Sequence, residues 1–270
     1  MRFLIILFLL SGNLTIFGQQ ILGTVFDMNN DVPVKYVSIG IVGKNIGTVS
    51  DHNGKYTLKI EPEYHNDTLR FSSIGYYSYS VKVSDFINLN NGNVSLENRT
   101  YELTELVVRP NRFKKRTLGI VTRDQSSSSL CIYSGWEFGI PIRNNNAVFI
   151  REVNINVHLN ASTYKHDSIF FRINIYKIQE TMLFENILSS PILSKQNFKS
   201  NMTIDLRQHH IFVEGSFLVT FEILELSGHL CFPTGNTTIR HKTYVRRASQ
   251  GTWEIMNEGA SISVLVDIER

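Results

Sequence analysis

The segment GTVSDHNGKY holds the first residues whose types and spacing suit chemistry. Asp51, Asn53 and Gly54 fall within four consecutive positions, between two runs of strand-forming residues. Calcium loops, catalytic loops and plain turns all use Asp, Asn and Gly in this way. These alternatives imply different proteins, so the spacing of the neighbouring residues has to decide between them.

A calcium loop of the EF-hand kind requires oxygen ligands at alternate positions and a carboxylate at the twelfth. If Asp51 is the third position, Val49 is the first and Ile60 is the twelfth, and neither side chain can bind a metal. A turn requires less, because Asp51 can accept a hydrogen bond from the backbone two residues on, while Asn53 and Gly54 tolerate positive φ. The sequence therefore predicts a turn in which the chain reverses between strands at 47–50 and 56–60.

The histidines do not form a recognisable catalytic pattern. A zinc carboxypeptidase needs a His-x-x-Glu pair and a distant His, and none of the eight histidines has Glu three residues later. His210 and Glu214 would lie about 13 Å apart along a strand. His209 and His210, near Asp205, are interpreted as polar loop residues. The sequence predicts no catalytic residue, no metal, no cofactor and no enzymatic activity.

Two acidic residues leave one enzymatic alternative open. Glu222 and Glu225 lie in FEILEL, where the alternation places Glu222 outward, opposite the apolar face. Paired carboxylates are the machinery of glycoside hydrolysis. A hydrolase that uses clustered carboxylates or histidines in a cleft therefore remains an alternative.

Trp136 and Trp253, the two tryptophans of the chain, leave a second alternative open. Exposed aromatic rings stack on sugars, so an exposed row of them would make the protein a carbohydrate-binding module. Single aromatic residues in strands more often join a core, where their large apolar area is most stable. Both interpretations stand at this point.

Two short segments match a modification signal. Asp67-Thr68-Leu69 and Asp167-Ser168-Ile169 are similar to the O-glycosylation acceptor of some Gram-negative bacteria. Each segment lies where a loop should enter a strand, which a glycosylation enzyme could reach. We therefore expect Thr68 and Ser168 to be candidate glycan sites.

The N-terminal segment and the charge bound the location of the protein. MRFLIILFLL followed by a short polar stretch is typical of a secretory signal peptide at 1–19, and no later apolar run is long enough to span a membrane. The formal net charge is +3, and RFKKR at 112–116 is interpreted as part of a solvated linker, so no nucleic-acid partner is expected. An exported chain meets oxidising conditions, so Cys131 and Cys231 either form a disulfide or remain two buried thiols.

The hydrophobic pattern predicts an all-β protein. Runs of four to eight residues alternate apolar with polar from position 21 onward, and only 84–89 suits a short helix. A composition shift after position 98 divides the chain into a first domain at 20–98, a linker at 99–117 and a second domain at 118–270. Alternation such as Val153, Ile155, Val157 and Leu159 in the second domain predicts a larger antiparallel β-sandwich, jelly-roll-like.

The first domain resembles a known family. The matching motifs are P-V-x-x-V-S-I at 33–39, G-T-V-S-D-x-N-G-x-Y at 47–56 and L-R-F-S-S-I-G-Y at 69–76. They are similar to the carboxypeptidase regulatory-like domain, a transthyretin-like β-sandwich that precedes many bacterial TonB-dependent receptors. The apolar patch LTELVV at 103–108 resembles the segment that trails this domain. About 150 further residues cannot supply a receptor's 22-stranded barrel.

The resemblance implies a non-catalytic role, because the regulatory-like domain is the non-enzymatic part of the peptidases after which it is named. We expect an exported binding or scaffolding protein at the periplasm, the outer membrane or the surface of a Gram-negative cell. Its expected partner is an envelope protein complex or a surface glycan.

Overall fold

A computed structural model describes residues 18–88, 91–99, 113–121, 129–156, 168–178, 184–197, 201–226, 229–235 and 242–269. Strands dominate these residues, and the predicted all-β class is confirmed. Two separate hydrophobic cores, one on each side of position 100, correspond to two β-sandwich units. Among the described residues, no helix is long and apolar enough to cross a membrane.

The first domain is a sandwich of two small sheets. Its elements are β1 (Gln19–Asp27), β2 (Ser38–Ile41), β3 (Gly47–Val49), β4 (Lys55–Ile60), β5 (Thr68–Ser72), β6 (Tyr79–Lys82), the short helix α1 (Val83–Asn88) and β7 (Val94–Leu96). One sheet has the order β4-β1-β7 and the other β3-β2-β5-β6. The side chains of β4 alternate between exposed and buried, because period-two alternation turns every second residue into the core.

The segment at 51–54 forms a turn, but it does not make a hairpin. The Asp51 carboxylate accepts hydrogen bonds from the backbone N–H groups of Asn53 at 2.8 Å and Lys55 at 2.9 Å. Gly54 has a φ of 72°, and a Cβ there would lie 2.7 Å from the carbonyl oxygen of Val25. However, β3 pairs with β2 whereas β4 pairs with β1. The turn therefore carries the chain from one sheet to the other.

The second domain is built from longer strands. They are β8 (Phe113–Gly119), β9 (Ser129–Tyr133), β10 (Glu137–Ile142), β11 (Ala147–Asn156), β12 (Ser168–Ile178), β13 (Phe184–Asn186), β14 (Ile192–Asn197), β15 (Asn201–Asp205), β16 (Phe212–Glu214), β17 (Phe217–Glu225), β18 (His229–Gly235), β19 (Thr243–Arg246), β20 (Glu254–Met256), β21 (Gly259–Ala260) and β22 (Ile262–Glu269). Val157 and Leu159, which belong to the predicted alternation, lie outside the described residues.

Two larger antiparallel sheets and a third of three strands, in the order β21-β18-β9, surround the core of the second domain. The larger sheet runs β13-β12-β17-β10-β19-β20, with β14 also pairing with β12, and the smaller runs β15-β11-β22-β8, with β16 also pairing with β11. Ile173, Phe221 and Phe138 from the larger sheet and Val153 and Val264 from the smaller one belong to one buried cluster. Alternate residues of the larger sheet point the other way, and this outer face positions the site described below.

The linker predicted at 99–117 ends too late. Phe113–Gly119 forms strand β8, which pairs with β22 at the edge of the smaller sheet, so the second domain includes residues before 118. The Phe113 ring packs 5.5 Å from that of Phe149. Lys114, Lys115 and Arg116 remain exposed, as is common on an edge strand that must not pair with another chain. The run of like charge concealed the strand from the sequence analysis.

Candidate functional site between the two domains

Four charged residues form one row across the outer face of the larger sheet. In the strand register, Arg172 lies opposite Glu222, Glu222 opposite Glu137, and Glu137 opposite Arg246. The order Arg-Glu-Glu-Arg places the two carboxylates side by side and a guanidinium group at each end. We call these four residues the charge row.

The Glu222 carboxylate is buried and heavily hydrogen-bonded. It accepts hydrogen bonds from Arg172 Nε at 3.0 Å, from Asn174 at 3.4 Å and from the Ser249 hydroxyl at 3.3 Å. Burial alone would raise its pKa, but the charges and hydrogen bonds of Arg172, together with the charge of Arg246, outweigh burial and hold the pKa of Glu222 below its usual value. Glu222 is therefore ionised at neutral pH.

The Glu137 carboxylate, in the other half of the charge row, is also heavily hydrogen-bonded. Its carboxylate accepts hydrogen bonds from Asn174 and from the Tyr176 hydroxyl, both at 2.9 Å, and from Thr220. It also forms an ion pair with Arg246. Burial raises the pKa of the Tyr176 hydroxyl, so that Tyr176 remains a neutral donor. Both carboxylates consequently have charged and neutral donors around them.

The first domain covers this row. Arg172 donates hydrogen bonds to the Tyr36 carbonyl oxygen at 2.7 Å and to the Ser38 hydroxyl at 2.6 Å, and the Ser38 hydroxyl donates to Glu222 at 3.2 Å. The rings of Tyr36 and Phe170 meet with centroids 5.0 Å apart. Only 3% of Arg172 and 1% of Glu222 remain exposed. The Arg172–Glu222 half of the charge row is thus enclosed between the two domains, while Arg246 at its other end is partly exposed.

A loop at 248–251 packs against the hairpin of β2 and β3. A Cβ at Gly40 would lie 2.1 Å from the carbonyl oxygen of Ser249, and one at Gly47 would lie 2.3 Å from it. The Gly43 amide donates a 2.9 Å hydrogen bond to the carbonyl of Gln250, whose side chain donates to the Ser72 hydroxyl at 2.7 Å. Because glycine alone permits so close a backbone approach, Gly40 and Gly47 fit the loop closely.

A cleft of about 270 Å³ opens beside the charge row, and we call it the interdomain cleft. The first domain contributes Arg70, Tyr76 and Arg99 to its lining, and the second contributes Asn174, Asn186 and Arg246. Tyr76 is fixed there because its hydroxyl donates a 3.0 Å hydrogen bond to Asp27. Burial and this hydrogen bond raise the pKa of Tyr76 to about 12.

The expected orientation of Glu222 is correct, but the carboxylate pair proposed around it is wrong. Glu222 points away from the core of its own domain, as the alternation indicates, yet it is buried because the first domain lies over it. Glu225 is exposed at the end of the same strand. The carboxylate that lies beside Glu222 is Glu137, which the sequence analysis did not identify.

The two tryptophans are half-buried, and each forms a cation–π contact with an arginine of the chain. The Arg247 guanidinium lies 5.4 Å from the centre of the Trp136 ring, and that of Arg246 lies 4.9 Å from the Trp253 ring. Tyr133, which is 47% exposed, packs against Trp136 with centroids 5.2 Å apart. An arginine of the chain therefore lies over one side of each tryptophan ring.

Cys131 and Cys231 lie opposite each other on β9 and β18 and form a disulfide that closes a sequence separation of 100 residues. Thr68, the first residue of β5, is exposed, and Ser168, the first residue of β12, is half-buried.

The histidines do not gather in the part of the chain that the structure describes. Within those ranges, no three His, Cys, Asp or Glu side chains are arranged to hold a metal ion. His209 and His210 lie on a short turn after β15, where His210 takes a left-handed conformation with a φ of 48°. His158, His166 and His241 lie outside the described residues.

The sequence analysis missed most residues of the site. Glu137, Arg172 and Arg246 each stand next to residues of the apolar face, so alternation alone could have placed them on the outer face of their strands. What it could not supply is the strand order, which brings β12, β17, β10 and β19 side by side. Cross-strand neighbours depend on that order and on its register.

Comparison with known proteins identifies one part of the chain. No curated protein matches the sequence significantly. Structures from infectious bursal disease virus, of the Gx strain and of a VP2 subviral particle, each have 11% identity and cover 93% of this chain and 55% of theirs, with TM-scores of 0.24 and 0.23. This chain thus spans about half the length of those chains, and such TM-scores do not define a common fold. Residues 21–108 match the CarboxypepD_reg-like domain model, so the first part of the chain is a carboxypeptidase regulatory-like domain.

Proposed function

We propose that this protein is a non-enzymatic binding or scaffolding protein, exported to the envelope of a Gram-negative bacterium. In this role the regulatory-like domain and the second β-sandwich act as one rigid unit that presents its surfaces to an envelope partner. The observation that carries the proposal is the charge row, in which the buried Arg172–Glu222 pair forms hydrogen bonds with Ser38 of the first domain and so joins the two domains.

The state of these carboxylates favours binding over hydrolysis. A general acid needs a raised pKa, whereas the pKa of Glu222 is lowered by Arg172 and Arg246 despite its burial. A nucleophile or base needs access to substrate, whereas Glu137 and Glu222 are each 1% exposed. The paired carboxylates are therefore poorly suited to cleave a glycosidic bond.

The interface between the domains supports a fixed scaffold. Hydrogen bonds from Arg172 to the Tyr36 carbonyl oxygen and the Ser38 hydroxyl, and from Gln250 to the Ser72 hydroxyl, join residues that are more than one hundred positions apart in sequence. Gly40 and Gly47 let the backbone of Ser249 approach closely. Removing the first domain would expose the Arg172–Glu222 pair and leave Arg172 without its acceptors at Tyr36 and Ser38, so we expect the two domains to function together.

Two features support export. The segment at 1–19 has the charge and apolar pattern of a secretory signal peptide. The Cys131–Cys231 disulfide is typical of proteins that fold in an oxidising compartment. Export through the inner membrane would place the mature chain where outer-membrane complexes and surface glycans are available.

Affinity purification of a tagged full-length chain from its own envelope, with and without mild cross-linking, tests the proposal. We expect mass spectrometry to recover the same envelope proteins reproducibly. A matched chain that lacks residues 1–19 should stay in the cytoplasm and recover none of them.

Two results would contradict the proposal. Equal recovery of the same partners by the chain without its signal would show that the contacts form outside the envelope. Hydrolysis of an envelope glycan by the purified protein, abolished in Glu137→Gln, would establish an enzyme in place of a scaffold.

A further inference from the structure

The interdomain cleft combines a position between two domains with unused hydrogen-bond donors. Small-molecule sites favour domain interfaces and contain a few convergent polar groups. This cleft draws its lining from both domains and has a volume of about 270 Å³. A water molecule occupies about 30 Å³ of liquid, so there is room for an organic molecule as well as for a single ion.

Arg246 carries the first unused donor. Its Nη2 forms the ion pair with Glu137, but its Nε is buried and has no hydrogen-bond partner among the described residues. An unsatisfied buried donor is costly, and structures usually satisfy such groups with protein, water or ligand. Burial alone would lower the pKa of Arg246, but Glu137, Tyr176 and Glu222 together outweigh burial and raise that pKa above its usual value, so the group is charged.

Arg70 carries the second unused hydrogen-bond donor of the cleft. It lies on β5 between the core residues Leu69 and Phe71, and the alternation turns it toward the second domain and into the lining of the cleft. Its Nε donates a 3.1 Å hydrogen bond to the Ser80 hydroxyl. None of the ion pairs among the described residues involves Arg70. No carboxylate of the described residues therefore neutralises its charge by direct contact.

The acidic groups at the cleft do not offset these donors. Glu222 accepts hydrogen bonds from Arg172, Asn174, Ser38 and Ser249, so its oxygens are already occupied. Glu137 lies behind Arg246 and pairs with it. The exposed carboxylate of Glu185 on β13 also lines the cleft. The lining nevertheless contains more guanidinium groups, those of Arg70, Arg99, Arg172 and Arg246, than carboxylates.

We propose that the interdomain cleft binds a small organic molecule through its carboxylate, which the guanidinium groups of Arg246 and Arg70 hold from the two domains. The planar guanidinium group matches a carboxylate in geometry and forms charge-assisted hydrogen bonds with it. Asn174, Asn186 and Tyr76 then surround the remainder of the ligand with polar atoms. This inference rests on the proposed binding function, and it names small organic carboxylates as the class of ligand.

Matched ligand pairs test this inference on the intact mature protein by isothermal titration calorimetry at low ionic strength. Galacturonate against galactose represents an acidic sugar, and N-acetylalanine against its amide represents a peptide terminus. Acetate represents the shared carboxylate alone. We expect an acid to bind and its neutral counterpart to bind at least about tenfold more weakly, with affinity falling when salt is raised to about 0.5 M.

A variant pair locates the site. Arg70→Gln should weaken binding of the acid about tenfold, whereas Lys82→Gln, which removes an equal charge from an exposed residue of the adjacent strand β6 outside the cleft, should leave it unchanged. Arg70→Lys should restore part of the loss. Melting temperatures equal to the wild type show that the variants are folded.

Three outcomes would overturn the inference. These are no binding of any acid, equal binding of acid and neutral counterpart, and equal loss in Arg70→Gln and Lys82→Gln. The first two need no variant, so they decide even where Arg70→Gln does not fold. Recovery of envelope partners in the cross-linking experiment with no acid binding would contradict the carboxylate site alone and leave the proposed function supported.

Discussion

Arg172, on a strand of the second domain, donates a hydrogen bond of 2.6 Å to the hydroxyl of Ser38 on a strand of the first. The same guanidinium group pairs with Glu222, so a single side chain joins the charge row to the other domain. Because both charges are removed from water, the pair stabilises the protein only while both partners are present.

Arg172→Met should destabilise the protein strongly. It leaves the Glu222 carboxylate buried without its main partner, which costs about 3–5 kcal/mol in the free energy of unfolding. Urea denaturation measures this loss. The exposed pair Arg247–Glu254 is the control, and Arg247→Met should cost less than about 1 kcal/mol.

The double variant Arg172→Met/Glu222→Met should recover most of that stability, because an apolar pair of similar volume avoids the cost of burying charges. A double variant as unstable as the single one would show that the hydrogen bonds to Tyr36 and Ser38, and not the ion pair, provide the stability.

Glu222 should make stability depend on pH in the acid range. Its folded-state pKa lies below the usual value of 4.5, so its contribution is fully present above pH 4.5 and is lost as the pH falls through the folded pKa. Unfolding free energies between pH 6 and pH 3 should therefore decline less in Glu222→Gln than in the wild type. Glu225→Gln, on an exposed residue of the same strand, should decline as the wild type does.

Gly40→Ala should separate the domains without unfolding them. Its Cβ would lie 2.1 Å from the Ser249 carbonyl oxygen, and overpacking of this kind costs about 1–3 kcal/mol. We expect limited proteolysis to cut at 248–251 faster than in the wild type. Ser95→Ala, on an exposed residue of β7, should not change the rate. An unchanged rate in Gly40→Ala would show that the loop does not depend on close approach to β2.

Reduction of the disulfide should lower the melting temperature of the second domain. A link between residues 100 apart stabilises by about 4–5 kcal/mol in the chain-entropy model. Calorimetry with and without reductant measures the change, and Cys131→Ser/Cys231→Ser should melt as the reduced wild type does, with no response to reductant. If reduction left the melting temperature unchanged, the disulfide would have no structural role.

The sequence by itself determined the strand content and the inner faces of the sheets. Strands predicted at 47–50 and 56–60 appear as Gly47–Val49 and Lys55–Ile60, because alternation of apolar and polar residues reports directly on which side chains meet a core. The turn at Asp51 could also be predicted from the sequence. It depends on local interactions, because the Asp side chain accepts a backbone hydrogen bond two residues on and Gly tolerates positive φ.

Only the tertiary structure decided what covers the outer faces. Glu222 and Arg172 alternate with core residues and read as solvent-facing, yet both are buried. Their burial depends on the docking of a second domain, and Glu137 becomes a neighbour of Glu222 only through strands distant in sequence. The period-two alternation along a strand indicates toward which face of the sheet a side chain points. Long-range strand pairing and domain packing determine which residues that side chain contacts.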